Sequence, residues 1–439
     1  MKVTIAGIGY VGLVTGVCLA EIGHEITCVD TDHKKISDLN KGESPIYEPG
    51  ITELIKHNLA KGAIRFTTNS KQAYSFAEII FISVGTPESD DGSANLQYIK
   101  EAAEEIGQSI RKNVIVVTKS TVPVGTNEKI KKWIENKITG RLKVSIVSNP
   151  EFLREGSAIY DTFNGDRIII GAEDELSANI IGDLYKPFDL PIIKTDIRSA
   201  EMIKYASNAF LATKISFINE IANICEKVGA NIEDVAQGIG KDSRIGSQFL
   251  SAGIGYGGSC FPKDTKALVQ IAGDVHHRFE LLESVIKVNN VQRNRLVHKA
   301  KEVLGPLAGK KAAILGLSFK PNTDDIREAA SISMIEQLLA EKAEVFAFDP
   351  VVNGKIKALF PENIKLCTSI DEAITKADLC FIATEWNEIK EYPLVKFKDL
   401  MKEPFIFDGR NCFQLMEAEK FNLNYYSIGR EPVIAKYSN

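Results

Sequence analysis

A cysteine between a glycine cluster and a charged pair is the part of this sequence best suited to chemistry. The run from Gly253 to Asp264 reads GIGYGGSCFPKD, with four glycines in six positions shortly before Cys260. Glycine has no Cβ, so such a loop lets the backbone come close to a ligand. A thiol beside it is placed to act as a nucleophile. The run therefore predicts covalent chemistry on sulfur.

A second glycine motif opens the chain. Gly7-Ile8-Gly9-Tyr10-Val11-Gly12 follows the apolar run Lys2 to Ala6 and starts a helical pattern, and a strand from Glu25 to Val29 then ends at Asp30. Strand, glycine turn, helix, strand and acid in this order predict a Rossmann unit, with a pyrophosphate at the helix N-terminus. Asp30 would accept hydrogen bonds from the ribose hydroxyls and repel a 2′-phosphate, which predicts NAD rather than NADP.

Polar segments follow three further predicted strands, Ile79 to Val84, Val114 to Lys119 and Val144 to Ser148. These segments are Gly85-Thr86-Pro87, Ser120-Thr121-Val122-Pro123 and Asn149-Pro150-Glu151. They could simply terminate strands. Ligands of parallel sheets bind at the carboxyl ends of the strands, and three successive ends carry hydroxyls or an acid, so we favour a role in lining the cofactor site.

The middle of the chain is predicted to be helical. Arg198 to about Val228 contains neither proline nor glycine, and Ile203, Ala206, Phe210 and Phe217 suit a core face. Lys204 and Asn208 lie four residues apart and share a face, which composition alone indicates to be solvated. Helical patterns near Asp264 to Gly273 and Leu281 to Val303 complete this segment.

A second α/β pattern occupies the last third. Its predicted strands are Lys311 to Leu317, Glu344 to Asp349, Leu379 to Thr384 and Phe405 to Asp408. The loop Ser318-Phe319-Lys320-Pro321 lacks the glycine fingerprint but carries a cation, and Arg410 follows the last of these strands. Cations at strand ends suit a diphosphate, although an ordinary surface charge is an equal alternative for either residue.

Composition excludes several classes of protein. The 439 residues predict two to three domains, and 44% hydrophobic and 25% charged residues are typical of soluble proteins. A net charge of −5 gives no indication of binding to nucleic acid or to an anionic membrane. We expect a cytoplasmic protein without a membrane span. Seven scattered cysteines without a CxxC spacing predict reduced thiols and no metal site.

Taken together, these segments resemble the UDP-glucose/GDP-mannose dehydrogenase family over essentially the whole chain. The matching segments are GIGYVG (7–12), KSTVPVGT (119–126), NPEFLREG (149–156), Lys204 with Asn208, FLSAGIGYGGSCFPKD (249–264), SFK (318–320), Arg327 and DGRN (408–411). The resemblance implies an α/β fold with an NAD-binding Rossmann-like domain (1–197), a central helical domain with the cysteine loop (198–305) and a Rossmann-like UDP-sugar-binding domain (306–439). It also implies that Lys204 and Asn208 lie beside the nucleophile.

The resemblance implies a role for each matching residue. Cys260 is the implied nucleophile, Lys204 an oxyanion-stabilising cation and Asn208 a neighbouring donor, while Asp264 and Thr121 organise water and protons and Glu151 assists hydrolysis. The implied NAD contacts are Gly7, Gly9, Tyr10, Val11, Gly12, Asp30, Lys35, Thr86, Thr121, Glu155, Lys263 and Arg327. The implied substrate contacts are Glu151, Phe152, Leu153, Glu155, Lys204, Asn208, Phe249, Ser251, Gly253, Tyr256, Gly257, Phe319, Lys320 and Arg410, with Arg244 reaching a sugar hydroxyl across a dimer interface.

The implied reaction oxidises UDP-glucose to UDP-glucuronic acid through a thiohemiacetal and a thioester on Cys260, with two NADH released. Three alternatives remain. GDP-mannose dehydrogenases share much of this residue set but typically have leucine where this chain has Phe261. A simpler 3-hydroxy-acid dehydrogenase would need Lys204 and Asn208 and release one NADH, and a non-catalytic NAD-binding protein would need neither Cys260 nor Lys204. The sequence does not decide whether Glu151 or Asp264 is the base.

Overall fold

The computed structural model describes residues 1–436, which form two compact units. Unit 1 consists of Met1–Ser207 and Lys266–His277, and unit 2 consists of Asn208–Thr265 and the chain from Arg278 onward. The last three positions of the predicted 306–439 domain lie outside the described residues. Within residues 1–436, no helix has the length and apolar character needed to cross a membrane.

A mostly parallel sheet forms the centre of unit 1. Its strands are β1 (Lys2–Ala6), β2 (Glu25–Val29), β3 (Ile64–Thr67), β4 (Ile79–Ile82), β5 (Val114–Thr118), β6 (Val144–Ser148), β7 (Ile168–Ala172) and β8 (Ile192–Thr195). In the described part of the chain the order is β3-β2-β1-β4-β5-β6-β7-β8, with β6 and β7 antiparallel. The chain reverses its direction of winding between β1 and β4, which is where such sheets bind nucleotides.

Helices cover both faces of this sheet. They are α1 (Tyr10–Glu21), α2 (His33–Asn40), α3 (Ile51–Ala60), α4 (Ser70–Phe76), α5 (Gln97–Ser109), α6 (Thr126–Glu135), α7 (Ala158–Phe163) and α8 (Glu175–Tyr185), followed by a 3₁₀ turn at Lys186–Phe188. Leu13 and Val17 of α1 belong to one buried cluster, and Ile106 and Ile130 belong to another. Burial on both faces explains why the central strands are continuous runs of Val, Ile and Phe.

A single long helix, α9 (Ile197–Val228), confirms the prediction made from the absence of proline and glycine. Its predicted core face is wrong. Phe210 and Phe217 are 66% and 52% exposed, whereas Lys204 and Asn208 are buried. Hydrophobicity alone does not show which side of a helix the rest of its chain covers, and here buried carboxylates provide partners for the polar side chains.

The other helices that precede the second sheet are α10 (Ile232–Gly240), α11 (Phe261–Asp274), α12 (Glu280–Gln292) and α13 (Arg295–Leu304). The helical pattern expected from Leu281 to Val303 is interrupted after Gln292, and α13 begins after Asn294. Asn294 provides no side-chain cap for α13, and its Oδ1 instead accepts from Gln337 Nε2 (2.6 Å).

Unit 2 contains a second parallel sheet. Its strands are β9 (Lys311–Leu315), β10 (Glu344–Phe348), β11 (Ile364–Leu366), β12 (Leu379–Ile382), β13 (Phe405–Asp408) and β14 (Asn424–Tyr426), and its helices are α14 (Ala330–Ala340), α15 (Asn353–Leu359), α16 (Ile370–Ile374), α17 (Asn387–Lys390), α18 (Leu394–Leu400) and α19 (Leu415–Lys420). Among the described residues the strand order, β11-β10-β9-β12-β13-β14, is that of a Rossmann sheet. The predicted fold class is confirmed.

Candidate active site

The glycine turn after β1 has the shape that a dinucleotide pyrophosphate requires. Gly7 has a φ of +90°, and a Cβ on Gly12 would overlap the carbonyl oxygen of Gly7. No atom would lie within 4 Å of a Cβ on Gly9, and α1 begins after Gly9 without a side-chain cap. The helix start therefore offers backbone N–H groups beside open space, which fits the pyrophosphate of NAD.

Asp30 lies at the carboxyl end of β2 and is held as a carboxylate. Its Oδ2 accepts hydrogen bonds from the backbone N–H of Ile8 (2.9 Å) and from Lys35 Nζ (2.9 Å). Burial opposes ionisation, but Lys35 and the backbone donors of Asp32 and Ile8 outweigh it and lower the pKa of Asp30. Lys35, which was predicted to contact the cofactor, therefore forms an ion pair with Asp30. A carboxylate here fits the ribose hydroxyls of NAD.

The second sheet has an acid at the equivalent position, but its carboxylate is closed off. Asp349 follows β10 and is fully buried. Its Oδ2 accepts from the backbone N–H groups of Leu317 (2.7 Å) and Ser318 (3.1 Å) and from Trp386 Nε1 (3.1 Å). Asp349 is fully buried under these donors, whereas Asp30 is partly exposed, so this domain does not repeat the NAD site of unit 1.

Unit 1 contains a buried ion pair, which we call the Glu151 cluster (Glu151, Phe152 and Lys204). Lys204 Nζ lies 3.0 Å from Glu151 Oε1, and Leu153 donates its backbone N–H to Oε2 (2.7 Å). Lys204 Nζ also lies 5.4 Å from the centre of the Phe152 ring. Burial raises the pKa of Glu151, but the stronger combined pull of Lys204, the Leu153 N–H and Lys119 lowers it overall. Glu151 is therefore ionised at neutral pH.

The strand-end loops of unit 1 are tied to one another. Thr86 Oγ1 donates to the carbonyl oxygen of Thr121 (3.0 Å), which joins the loops after β4 and β5. The Tyr10 phenol donates to the buried carboxylate of Glu48, and the Gly156 N–H donates to the phenol oxygen (2.7 Å). These bonds anchor the loop that carries the predicted residues Glu151, Leu153 and Glu155. Sequence reasoning missed Glu48, because an isolated acid in a loop gives no signal of burial.

In unit 2, Cys260 directly precedes α11 and differs from most other cysteines of the chain. Cys18, Cys28, Cys225, Cys367 and Cys380 are buried, while Cys260 is partly exposed. Cys412 is also partly exposed, but burial raises its pKa, with Asp408 adding to the effect. The Ser259 hydroxyl lies 3.6 Å from Cys260 Sγ. Backbone N–H groups at a helix start favour an anion, so Cys260 is well placed to react as a thiolate.

Asp264 organises the side chains around this helix start, which we call the Cys260 cluster (Asn208, Cys260, Lys263 and Asp264). Asp264 is 1% exposed, and its backbone N–H donates to the carbonyl oxygen of Cys260 (2.9 Å). Asn208 Nδ2 donates to Asp264 Oδ2 (2.7 Å), and Lys263 Nζ donates to Oδ1 (2.6 Å). Lys263, a predicted NAD contact, is thus held by Asp264. Lys263 and Asn208 thus each donate to one oxygen of the Asp264 carboxylate, and the bond to Oδ2 orients the Asn208 amide.

The glycine loop before Cys260 packs tightly against predicted substrate residues of unit 2. Cβ atoms on Gly257 and Gly258 would collide with the carbonyl oxygen of Glu328 and with the Phe319 ring. Arg410 donates from Nη1 to the Gly255 carbonyl (3.4 Å) and from Nη2 to the Phe319 carbonyl (3.2 Å). Glycine is therefore required here for close approach, and the loop, Phe319 and Arg410 lie together.

Aromatic rings surround the same loop. The ring centre of Phe261 lies 5.8 Å from that of Tyr256 and 6.2 Å from that of Phe249. Ser251 is exposed and Gly253 is buried, and Lys320 Nζ lies 5.5 Å from the centre of the Phe319 ring. The structure thus gathers most of the predicted substrate contacts of unit 2 around one loop.

Buried amides hold this loop, and sequence reasoning missed them. Asn289 in α12 accepts from the Tyr256 N–H (2.8 Å) and donates to the Tyr256 carbonyl (3.0 Å). Asn219 in α9 accepts from the Gly253 N–H (2.8 Å), and Gln292 donates to the Gly253 carbonyl (2.7 Å). From sequence alone, a polar residue in a helix is predicted to face solvent, because the loop that it contacts is not known.

Two predicted contacts are engaged elsewhere. Arg244 is 87% exposed along its side chain and pairs with Asp242 of the same turn (2.6 Å). Arg327 pairs with Asp325 (2.8 Å). Neither ion pair involves the Glu151 cluster or the Cys260 cluster, and the roles expected of Arg244 and Arg327 remain predictions.

Three family models match successive parts of the chain. They are described as the NAD binding domain (residues 1–189), the central domain (198–291) and the UDP binding domain (313–415) of the UDP-glucose/GDP-mannose dehydrogenase family. UDP-glucose 6-dehydrogenase YwqF of Bacillus subtilis is 58% identical over 434 residues, covering 99% of each chain. UDP-glucose 6-dehydrogenase TuaD of the same organism is 49% identical over 98% of this chain and 94% of that protein.

Solved structures show the same similarity. A UDP-glucose dehydrogenase from Pyrobaculum islandicum superimposes with a TM-score of 0.92 at 36% identity, covering 98% of this chain and 97% of the other. A UDP-D-ManNAc dehydrogenase from Pyrococcus horikoshii has a TM-score of 0.86 at 26% identity, covering 98% and 99%.

Proposed function

The chain belongs to the UDP-glucose/GDP-mannose dehydrogenase family and binds NAD, and on this premise we propose that it oxidises UDP-glucose to UDP-glucuronic acid through covalent intermediates on Cys260. The observation that carries this proposal is the partly exposed thiol at the start of α11, one turn before the buried Asp264 that orients Asn208. A thiol placed only for packing would not need this arrangement of donors.

Two hydrides must leave C6 of the sugar, and between these two steps the protein must keep the aldehyde intermediate bound. When bound, NAD supplies the acceptor for each hydride. Loss of the first hydride and of the hydroxyl proton gives an aldehyde, with Thr121 and Asp264 organising the water that takes the proton. The Cys260 thiolate adds to the aldehyde carbon, forming a C–S bond and, after protonation of oxygen, a thiohemiacetal. This adduct retains the C–H bond that the second hydride transfer requires.

Loss of the second hydride and the hydroxyl proton gives a thioester, which water must hydrolyse. Water attacks the carbonyl carbon, the C–S bond breaks, and the carboxylate and the Cys260 thiolate are released. The ammonium of Lys204 and the amide of Asn208 stabilise the oxyanion formed during attack. Removing one such donor typically costs about 3 kcal/mol of barrier.

We assign Glu151 rather than Asp264 as the base for this hydrolysis. Asp264 accepts hydrogen bonds from two side chains, Asn208 and Lys263, which suits a residue that orients its neighbours, whereas Glu151 lies beside the ammonium that we assign to the oxyanion. Glu151 is ionised and lies 3.0 Å from Lys204, so a water bound beside this pair would contact both a carboxylate and an ammonium.

We propose that Gly253, Tyr256, Gly257, Phe319, Lys320 and Arg410, with Phe249 and Ser251, hold the UDP-sugar, and that Phe152, Leu153 and Glu155 contribute from the loop after β6. The three-part division at 197/198 and 305/306 remains our domain proposal. Because UDP-sugars and NAD are cytoplasmic metabolites, we propose a cytoplasmic enzyme whose product supplies polysaccharide biosynthesis.

We also propose a homodimer assembled through α9, in which Arg244 reaches the substrate of the neighbouring subunit. Phe210, Phe217 and Ile224 recur every seven residues and are 66%, 52% and 53% exposed. Such a stripe on one helix face is typical of a helix that pairs with a second copy.

Counting NADH against product tests the proposed function. Purified protein is incubated with NAD and UDP-glucose, UDP-GlcNAc or GDP-mannose, and NADH and the sugar acid are quantified. We expect two NADH per UDP-glucuronic acid and little reaction with the other two sugars. One NADH per substrate would instead indicate a simple alcohol dehydrogenase, and faster oxidation of GDP-mannose would identify the other nucleotide sugar as the substrate.

A further inference from the structure

A second lysine, Lys119, is buried next to the Glu151 cluster, and the reaction described above gives it no part. Lys119 follows β5 and is 8% exposed. Its Nζ donates to two neutral groups, Asn149 Oδ1 (3.0 Å) and the Tyr185 hydroxyl (3.4 Å). An ammonium is costly to bury, so a buried lysine with neutral hydrogen-bond partners indicates that its charge is used.

Through Asn149, this lysine fixes the end of the strand that leads to Glu151. Asn149 follows β6 and lies two residues before Glu151. Its Oδ1 also accepts from the Tyr185 hydroxyl of α8 (2.6 Å), and its Nδ2 donates to the Ile169 carbonyl of β7 (2.7 Å). Three elements thus converge on the residue that determines where the Glu151 backbone begins.

The charge of Lys119 also acts on Glu151. Burial lowers the pKa of Lys119 to about 8, with attraction to Glu151 opposing this effect and repulsion by Lys204 adding to it. Lys119 is therefore protonated over most of the range below pH 8 and contributes, with Lys204, to the lowered pKa of Glu151. Burial raises the pKa of Tyr185, which stays neutral. Two arginines are also near this loop: the guanidinium of Arg167, just before β7, lies 3.8 Å from the centre of the Phe152 ring, and Arg154 pairs with Asp161.

We propose that Lys119 is a positioning residue of the reaction, whose buried ammonium holds the end of β6 through Asn149 and keeps Glu151 ionised beside Lys204. The inference rests on the proposed role of Glu151 as the base in thioester hydrolysis. It explains why two lysines accompany one buried carboxylate. Lys204 is left to act on the substrate oxyanion, while Lys119 keeps Glu151 as a carboxylate throughout.

The pH dependence of kcat tests this role, because thioester hydrolysis follows both hydride transfers. A nearby cation shifts a carboxyl pKa down by roughly one to three units, so removing the cation should raise the pKa of Glu151. A base must be ionised, and activity is lost as the pH falls through its pKa. In Lys119→Met and Lys119→Gln, we therefore expect the acid limb to move up by roughly one pH unit or more. The loss of kcat should therefore be larger at pH 5 than at pH 8.

Two neutral variants and one control separate charge from folding. Lys119→Gln retains a hydrogen-bond donor for Asn149 and Lys119→Met does not, so an equal limb shift in both identifies the charge. Tyr185→Phe removes a hydrogen bond to Asn149 but keeps the ammonium, and should leave the acid limb in place. An unmoved limb in both Lys119 variants, or an equal shift in Tyr185→Phe, would overturn the proposal. If wild-type protein did not release two NADH from UDP-glucose, the proposed function itself would fail, and this inference with it.

Discussion

Asp30 has donors from its own unit at both carboxylate oxygens, from the Ile8 and Lys35 nitrogens at Oδ2 and from the Asp32 N–H at Oδ1. The acid is thereby fixed in position and charge before any ribose arrives. A carboxylate that is already charged discriminates between the cofactors, because it repels the 2′-phosphate of NADP and still accepts hydrogen bonds from the neutral ribose diol of NAD.

This fixed charge predicts the choice of cofactor. We expect kcat/KM for NAD to exceed that for NADP by about 100-fold or more, since like charges brought together cost several kcal/mol and each 1.4 kcal/mol is tenfold. Steady-state kinetics with both cofactors measure the ratio, and Asp30→Ala should narrow it. Equal use of NADP by the wild type would contradict the assignment of Asp30.

The burial of Lys204 and Asn208 could not be predicted from the residues alone. Composition indicates a solvated stripe, and the resemblance to a family was needed to overturn that interpretation. The structure buries both side chains because Glu151 pairs with Lys204 and Asp264 accepts from Asn208. These carboxylates lie about 50 residues away along the chain from their partners. Lys119 was missed for the same reason, since burial of a polar side chain depends on partners that spacing does not reveal.

The most predictable elements were the strands that consist of short, buried apolar runs. The predicted bounds of β1, β2, β6 and β13 are confirmed, while β4 and β12 are each two residues shorter than predicted because the chain turns away at the strand end. The edge strands β3, β8, β11 and β14 were not predicted. Each has three or four residues, too few to give an alternating pattern.

The glycine loop before Cys260 depends on α12 for its shape, and this dependence can be tested at Asn289. Asn289→Ala leaves the Tyr256 N–H and carbonyl without their partner, which should cost about 1–3 kcal/mol of stability. We expect KM for UDP-glucose to rise at least several-fold, because the backbone that we propose as a contact of the sugar is no longer fixed.

A matched asparagine provides the control for this variant. Asn231 accepts from the Glu233 N–H at the start of α10 (2.9 Å), and Asn231→Ala should cost about 1 kcal/mol without changing KM. Equal KM values for UDP-glucose in Asn289→Ala and Asn231→Ala would show that the amide of Asn289 serves stability alone.

At the scale of the whole molecule, two sheets with the same strand order carry different ligand chemistry. The glycine turn and Asp30 make the first a dinucleotide site, whereas Asp349 in the second is fully buried and bonded to the backbone of the segment after β9. The sequence indicated both sheets and the loss of the fingerprint in the second. It did not indicate that Phe210, Phe217 and Ile224 of α9 face outward, because hydrophobicity alone does not show which side of a helix is covered.

The exposed stripe on α9 predicts that Phe217→Glu weakens self-association. Burying a carboxylate in an apolar interface is unfavourable, so we expect the dimer dissociation constant to rise at least about 100-fold. Phe76, at the end of α4, is a 58% exposed phenylalanine of another helix, so Phe76→Glu serves as the control. Sedimentation velocity over a concentration series measures both. An unchanged dimer in Phe217→Glu would exclude this face as the interface.

The most direct measurement of the central claim compares product formation in Cys260→Ser with that in the wild type. Serine is a far weaker nucleophile than a thiolate at neutral pH, so we expect steady-state formation of UDP-glucuronic acid to fall by about 1,000-fold or more. NAD and UDP-glucose should still bind, because their phosphate and ribose contacts lie elsewhere. Cys412→Ser, which changes the other partly exposed thiol, should keep near-normal activity. Near-normal release of two NADH per product by Cys260→Ser would contradict a covalent mechanism on this cysteine.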